Sequence, residues 1–205
     1  MTLALVQPLA LSSMLIDHLG AVSILADWSR VVGRAALPAF VVMLALNALA
    51  TLDPRRLWLR VLLLLMLSQP LWWLSVGSWH QLCIMLTLLA VVSLVWCYRR
   101  SLVLEGVIIL GAFLLVSPWV EYGPWPLLLV PICLTRSLPA LALALVWPLV
   151  QYPDSPAFQA SAFAALALVW LSLRVPFDVP RLPRLVTRWF YPAHLFLLSA
   201  SIPLI

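Results

Sequence analysis

The sequence predicts an all-α, polytopic membrane protein with about nine transmembrane helices and a cytoplasmic N-terminus. Hydrophobic residues make up 65% of the 205 residues, and charged residues only 9%. A soluble domain has roughly 25% charged residues. The apolar residues fall in runs close to the roughly 17–25 residues that a membrane-spanning helix needs. A water-soluble fold of this size needs more polar residues to cover its surface than this composition provides. The lipid bilayer is therefore an expected partner.

The basic residues predict the orientation of these helices. All 12 are arginines, and most lie at the ends of apolar runs. Cytoplasmic connections collect Arg and Lys, and an inner N-terminus places ten of the 12 arginines inside. No basic stripe with interleaved aromatic residues is present, so nucleic-acid binding is excluded. The three cysteines lie singly in apolar runs, as expected of small buried hydrophobic side chains.

Polar turns separate the first five predicted spans. The spans cover residues 3–26, 31–51, 57–76, 82–98 and 102–118. The first run has no basic start and no clear cleavage site, so we expect a retained span and not a signal peptide. Turns are predicted at 27–30, 52–56 and 77–81. Pro54 sits where the third helix would begin, because the missing N–H of proline costs nothing in a first turn.

The segment 125–150 allows two interpretations, one broken helix or two short spans that turn at 135–137. A single helix would bury Arg136 near mid-membrane and place the arginines of 174–188 outside. The split interpretation agrees better with the charge rule and is favoured. The last spans are predicted at 157–173 and 189–205. Nothing indicates a second domain, so residues 1–205 are expected to form one.

Asp17 and His18 place an acid and an imidazole side by side inside the first apolar run. Ionisable groups are costly in a bilayer, so such a pair is a functional-site hypothesis. His18 lies about ten residues before the outer turn, hence roughly 15 Å deep. We expect Asp17 to pair with Arg34 in the next span, and His18 to take a proton as a base. The alternative is an ion pair and a polar histidine kept for packing.

Further polar residues mark both ends of the predicted bundle. Arg56 and Arg60, beside Arg55, share one helix face at the inner end of the third span. Their guanidinium groups suit phosphate oxygens, although ordinary anchoring of the cytoplasmic end is the alternative. Glu121 is expected near the outer face, on the cavity that His18 faces. His194 is expected near the inner face, at the start of the last span.

Motifs of soluble enzymes are absent, and a metal site is unsupported. No phosphate-binding Gly-Lys-Ser/Thr loop, His-Glu-x-x-His or Gly-x-Ser-x-Gly occurs. The three histidines are far apart in sequence and acids are few. Within the third span, Gln69 carries an amide that needs a partner, and helix–helix contact is its simplest role.

Five polar stretches follow one another along almost the whole chain. They are Leu15-Ile16-Asp17-His18-Leu19-Gly20, Gly33-Arg34 with Pro38-Ala39-Phe40, Arg56 and Arg60 with Ser68-Gln69-Pro70, Glu121-Tyr122-Gly123, and Phe190-Tyr191-Pro192 with His194. The ordered set resembles the TraX family, the pilin N-acetylases of conjugative plasmids. Two departures are Glu121, where the family has Asp, and Cys83, where Asn is expected.

The resemblance implies a transmembrane acyltransferase of the bacterial inner membrane. Such an enzyme takes an acetyl group from cytoplasmic acetyl-CoA, here the expected donor, and transfers it to the N-terminal amine of a pilin subunit, the expected partner. The resemblance then gives His18, Asp17 and Arg34 catalytic roles. It implies two binding sets: Arg55, Arg56, Arg60 and His194 for the donor, and Gln69, Glu121, Tyr122 and Tyr191 for the acceptor.

Three other functions stay open from the sequence. The acceptor of the acyl group is alternatively a cell-envelope glycan or a lipid headgroup. A transporter would use Asp17 and His18 as a proton relay, although the chain shows no paired halves with broken helices. A non-catalytic membrane protein would bind pilin during its assembly.

Overall fold

Helices make up the fold, as the composition predicts. The computed structural model describes residues 6–21, 28–76, 78–135, 137–174 and 183–201. The α-helices in these ranges are α1 Val6–Ala21, α2 Trp28–Gly33, α3 Ala36–Ala50, α4 Pro54–Val76, α5 Met85–Arg100, α6 Val103–Val116, α7 Val130–Thr135, α8 Leu138–Gln151, α9 Pro156–Arg174 and α10 Arg184–Ser201. Two 3-10 segments, Ser117–Trp119 and Trp125–Leu129, precede α7. Strand-like pairing in the described ranges is limited to one bridge between Leu82 and Val120.

The segment 125–150 divides into separate helices, as the split interpretation requires, and the crossing of the membrane by each part stays a prediction. Helix α7 ends at Thr135, and α8 begins at Leu138. The Ser137 hydroxyl caps α8 by accepting the Ala140 N–H at 3.4 Å. A proline at the second position of α8 fits there, because that N–H has no helical partner. Arg136, on which the split was argued, lies outside the described residues.

Two predicted boundaries are wrong. The turn expected at 27–30 is helical from Trp28, and the chain breaks only after Gly33, where α2 ends. Pro38 explains the break, because it lacks the N–H that would bond the carbonyl of Arg34 in a continuous helix. The last helix begins at Arg184 and not at 189, so it covers part of the connection predicted at 174–188.

The apolar lengths and the exposed surface indicate a membrane protein. Two helical segments, Trp28–Ala50 and Pro54–Ser75, are long and apolar enough to cross a membrane. Helix α6 packs mainly on α5 and presents large apolar side chains outward, with Leu104 70% and Leu115 76% exposed. Water disfavours such a surface and lipid accepts it. The crossing number of about nine stays a prediction.

One end of the bundle collects arginines. The Arg99 guanidinium, at the end of α5, donates to the carbonyls of Ala48 at 3.0 Å and Thr51 at 2.7 Å, at the end of α3. These contacts tie the C-terminal ends of α3 and α5 together. Helix α4 starts beside them and brings three exposed arginines to the same end: Arg55, Arg56 and Arg60.

Small residues allow α1 and α2 to cross closely. A Cβ on Gly33 would overlap the Asp17 side chain, and a Cβ on Gly20 would overlap the Ser29 hydroxyl. Across the same contact, the Ser13 hydroxyl donates to the Val32 carbonyl at 2.6 Å. This carbonyl lies next to the break after α2. The side chains of α1 therefore pack directly against α2.

Replacing Gly33 by Ala should destabilise the fold by roughly 1–3 kcal/mol, because the added methyl group has no room beside Asp17. The measurement is the melting temperature of the detergent-solubilised protein. The matched control is Gly111→Ala on α6, where nothing lies within 4 Å of the added Cβ. The control should leave the melting temperature unchanged or raise it, since Ala favours a helix over Gly. Equal effects of both changes would contradict the close crossing.

Candidate functional site

Two histidines from opposite ends of the chain meet in the interior. His18 on α1 and His194 on α10 are 3% and 5% exposed. Their ring centroids are 4.8 Å apart with planes within 15°, and His18 Nδ1 is hydrogen-bonded to His194 Nε2. This arrangement corrects the prediction for His194, which was expected with the donor-binding arginines. Because α10 starts at Arg184, His194 lies in the middle of the helix and not at its start.

The Phe190 carbonyl determines the tautomers of both rings. It lies 2.7 Å from His194 Nδ1, and a carbonyl only accepts, so His194 Nδ1 carries the hydrogen. With both imidazoles neutral, His194 Nε2 is then an acceptor, and His18 Nδ1 donates to it. The remaining nitrogen, His18 Nε2, has a lone pair for which the described residues provide no hydrogen-bond donor. The sequence predicted a base at His18, which stays a prediction, and in this tautomer Nε2 is the nitrogen that carries the lone pair.

Asp17 forms an ion cluster next to this pair. The predicted contact with Arg34 is present, at 4.0 Å between Arg34 Nη1 and Asp17 Oδ2. Arg30 adds a second guanidinium, with Nε 3.6 Å from Asp17 Oδ1, and the Tyr122 hydroxyl donates to Oδ2 at 3.3 Å. The Asp17 side chain is only 2% exposed. A buried carboxylate needs such partners, because an unpaired one is strongly destabilising.

Gln69 sets the position of the loop that carries Glu121 and Tyr122. Its side-chain amide donates to the Gln81 carbonyl and accepts the Cys83 N–H, both at 3.0 Å. The residue between them, Leu82, donates its N–H to the Trp119 carbonyl at 2.7 Å and accepts the Glu121 N–H at 3.0 Å. Gln69 therefore has structural partners here, and the acceptor-binding role predicted for it has no support in these contacts.

The turn after Glu121 depends on a glycine. Gly123 has φ of +59°, in the left-handed region that favours glycine, and its N–H bonds the Val120 carbonyl at 2.9 Å. The turn directs Tyr122 into the interior, where it is 4% exposed. The stretch Glu121-Tyr122-Gly123 thus forms the turn that brings the Tyr122 hydroxyl to Asp17.

Aromatic rings enclose the Arg34 guanidinium. Its central carbon lies 5.3 Å from the ring centroid of Tyr122, 5.6 Å from that of Tyr152 and 5.1 Å from that of Phe158. Each contact is a cation–π interaction, which is stronger where water is excluded. The cage holds the guanidinium in place while one edge reaches Asp17.

Glu121 lies close to both Asp17 and His18. One ligand atom from each of the three residues falls within 4.8 Å of the others. Such spacing would suit a metal ion, but the two guanidinium groups already beside Asp17 would repel a divalent cation. Burial, followed by the neighbouring Asp17 carboxylate, raises the pKa of Glu121 to about 8. Glu121 is therefore mainly a protonated, neutral acid at pH 7.

The structure brings the predicted catalytic residues together. It separates His194 from the other residues predicted to bind the donor, which are the arginines of α4. Asp17, His18 and Arg34 lie together, and Glu121, Tyr122 and Tyr191 surround them, with the Tyr191 ring centroid 6.0 Å from that of His18. The arginines of α4 are elsewhere. Trp72, also on α4, packs on His18 at 5.5 Å between ring centroids. Arg60 precedes it by 12 positions, which is about 18 Å along a helix.

The site lies near the end of the bundle opposite Arg55, Arg56, Arg60 and Arg99. Trp72 is only four residues from the last residue of α4. The predicted outer connections all contribute to the site: Arg30, the Gln81 loop, Glu121 with Tyr122, and Tyr152. His18 is thus closer to this end than the mid-membrane depth expected. That depth was counted from a turn at 27–30, whereas α2 is already helical at Trp28.

Four residues of the site were missed from the sequence. Arg30 was assigned to a turn, Tyr152 to the loop at 151–156, and Trp72 and Phe158 to apolar spans. The signal for Arg30 was its four-residue spacing from Arg34, which places both on one face if the segment is helical. Aromatic residues are too common in apolar runs to be recognised without the fold.

Comparison with known families identifies the pattern. A family model described as TraX protein matches residues 2–200, nearly the whole chain. No curated protein and no solved structure matches the chain. The family predicted from the five polar stretches is thereby confirmed.

Changing Glu121 to Gln should flatten the pH dependence of stability. In the native protein the pKa of Glu121 is about 8, above the ordinary value near 4.5, so the folded state holds the proton more tightly. The free energy of unfolding should therefore fall as pH rises from about 4.5 to about 8, and the neutral amide should remove this fall. Melting temperatures between pH 5 and pH 9 give the measurement. Glu105→Gln, at an exposed position on α6, should keep the native slope, and an unchanged slope in Glu121→Gln would contradict the prediction.

Proposed function

Because the chain belongs to the TraX family of pilin-related conjugation proteins, we propose that it is a membrane-embedded acetyltransferase. It moves an acetyl group from cytoplasmic acetyl-CoA to the N-terminal amine of a pilin subunit, and it crosses the bacterial inner membrane several times. The observation that carries the proposal is the buried histidine pair. His18 Nε2 presents a free lone pair, and His194 and the Phe190 carbonyl hold its ring.

The different groups at the two ends of the bundle support an enzyme whose donor and acceptor enter from opposite sides of the membrane. The exposed arginines gather where α3 and α5 end, as expected of a cytoplasmic end. The site lies near the other end, where the predicted outer connections converge. An acceptor presented from the outer side would therefore meet His18 without crossing the bundle. The donor would enter from the arginine end.

The donor phosphates find suitable groups at the start of α4. Arg55, Arg56 and Arg60 offer exposed guanidinium groups that bind phosphate oxygens bidentately. Arg56 is paired with Asp53 at 2.9 Å, but both side chains are exposed, so the pair exchanges readily with a phosphate. The acyl arm then has to extend about 18 Å, the rise between Arg60 and the Trp72 position. Only an extended donor bound at this end can present its thioester to His18.

The chemistry requires one base. An α-amino group has a pKa near 8, so a fraction of the acceptor is already neutral at pH 7. The amine nitrogen attacks the carbonyl carbon of the thioester and forms the C–N bond, while His18 Nε2 takes the proton. The C–S bond then breaks, and the leaving thiolate receives that proton from His18. The Nδ1–H bond to His194 holds the ring in one orientation and stabilises its transient positive charge.

Asp17 acts as a positioning residue in this scheme. Its carboxylate contacts Arg30, Arg34 and Tyr122 and so holds these three groups together. The cluster fixes α1 against α2 and the Glu121 loop. His18, the next residue on α1, is held in place with it. The neutral acid at Glu121 lines the acceptor side of the same space.

Mass spectrometry of the pilin tests the function. Pilin co-expressed with the native protein should gain the mass of one acetyl group at its N-terminus. His18→Ala should abolish the gain, because in the described part of the chain no other free imidazole nitrogen lies at the site. His80→Ala is the matched control, since His80 is exposed in the turn before α5, and it should acetylate normally. No gain with the native protein would refute pilin acetylation, and a gain that survives His18→Ala would refute the base.

The arginines at the start of α4 should affect donor binding and not turnover. Replacing Arg56 and Arg60 by Ala should raise the KM for acetyl-CoA about tenfold for each guanidinium group removed, with kcat within about twofold. Steady-state kinetics of the purified protein measure both constants. Arg100→Ala removes an exposed charge from the end of α5 and should leave KM unchanged. A lower kcat with a normal KM would place the donor phosphates elsewhere.

A further inference from the structure

Trp72 carries a buried hydrogen-bond donor beside His18. Its indole ring is tilted by 51° to the imidazole, at 5.5 Å between ring centroids. The residue is 3% exposed. Among the described residues, no acceptor lies within hydrogen-bonding distance of Trp72 Nε1. A buried N–H without a partner is disfavoured, and such a group in a native fold calls for an explanation.

An indole differs from the other polar groups here because it only donates. A hydroxyl without a partner can be satisfied by a donor or by an acceptor, but the missing partner of an indole must be an acceptor. The other indoles of α4 have theirs. Trp58 Nε1 donates to the Ser93 hydroxyl at 2.9 Å, and Trp73 Nε1 donates to the Gln81 carbonyl at 2.8 Å. The Trp72 N–H is thus available to donate a hydrogen bond to an oxygen atom of a bound ligand.

The surrounding charges are already engaged. Arg30 and Arg34 contact Asp17, and aromatic rings enclose the Arg34 guanidinium. His18 Nδ1 donates to His194. Two buried donor-only atoms around the site, Arg34 Nε and Trp72 Nε1, have no acceptor among the described residues, and of these two Trp72 packs on the His18 ring.

We propose that Trp72 is a catalytic residue whose indole N–H binds the carbonyl oxygen of the acetyl thioester. The inference rests on the proposed acetyl transfer. When the amine attacks, the C–N bond forms and the electron pair of the C=O bond moves onto this oxygen, while His18 Nε2 takes the amine proton. The indole N–H stabilises the negative oxygen. The C=O bond then re-forms, the C–S bond breaks, and the thiolate takes the proton from His18.

The position of the donor agrees with this role. A group that stabilises an oxyanion acts best when it is fixed before the reaction and shielded from water. Trp72 lies within α4, three residues after Gln69, whose amide bonds tie the helix to the neighbouring loop. Ser75, one turn further along α4, donates to the Leu195 carbonyl of α10 at 3.4 Å. The indole is thus fixed relative to both histidines.

The test is Trp72→Phe, which removes the N–H and keeps an aromatic ring. Loss of one oxyanion donor lowers kcat by roughly a hundredfold or more, so we expect that fall with the KM for acetyl-CoA within about twofold. Trp73→Phe and Trp58→Phe are matched controls on the same helix and should keep kcat within about twofold. A kcat for Trp72→Phe within twofold of the native value would overturn the proposal. If Trp72→Phe fails to fold, a benzothienyl-alanine at position 72, with sulfur in place of the N–H, keeps the shape and tests the same donor.

A second readout does not depend on turnover. The indole N–H signal of Trp72 in the ¹⁵N-labelled protein, assigned with the Trp72→Phe variant, should move downfield when the non-reactive ketone analogue of acetyl-CoA binds. Calorimetry shows whether the analogue binds at all. Binding without a shift of the Trp72 signal would overturn the proposal for Trp72 and leave the proposed function standing. A native protein that neither binds the analogue nor acetylates pilin would overturn the proposed function, and this inference with it.

Discussion

The rest of the site depends on the interactions of the buried Asp17 carboxylate. An isolated charge in an apolar interior is destabilising by several kcal/mol, so this residue has to be surrounded by partners. Arg30, Arg34 and Tyr122 provide them from two other parts of the chain. Each partner is itself constrained: the aromatic cage holds Arg34, and the turn at Gly123 directs Tyr122 inward. Satisfying one charge therefore determines how α1, α2 and the loop after α6 approach one another.

This constraint separates the structural acid, Asp17, from His18, the proposed base. Adjacent residues on a helix point about 100° apart, so Asp17 and His18 face different neighbours. Asp17 faces the arginines, and His18 faces α4 and α10, where it meets Trp72 and His194. The ion cluster of Asp17 thus positions His18, the next residue on α1, while the His18 ring faces other neighbours. The Phe190 carbonyl completes the arrangement, because it fixes the tautomer of His194 and through it that of His18.

Parts of the fold and site were predictable because their physical signals are local. The helical class, the division of the segment 125–150 into separate helices and the start of α4 at Pro54 follow from hydropathy, proline and charge, and the structure has them. The contact between Asp17 and Arg34 was predictable because two opposite charges in apolar surroundings have few other partners. His194 was misplaced for the opposite reason. Its position depended on where α10 begins, and the polar residues of 174–188 gave no clear start for that helix.

Composition and motif order were enough to predict a helical protein, the family to which it belongs and the residues that are costly in a bilayer. Composition, run length and the order of five polar stretches are properties of the chain, and they hold in any arrangement of the helices. Only the tertiary structure decided which polar residues meet. The contact between His18 and His194 spans 176 positions, and the indole of Trp72 is indistinguishable in sequence from its neighbour Trp73. Such pairings arise from how helices pack, which depends on shape complementarity across the whole bundle and not on any local pattern.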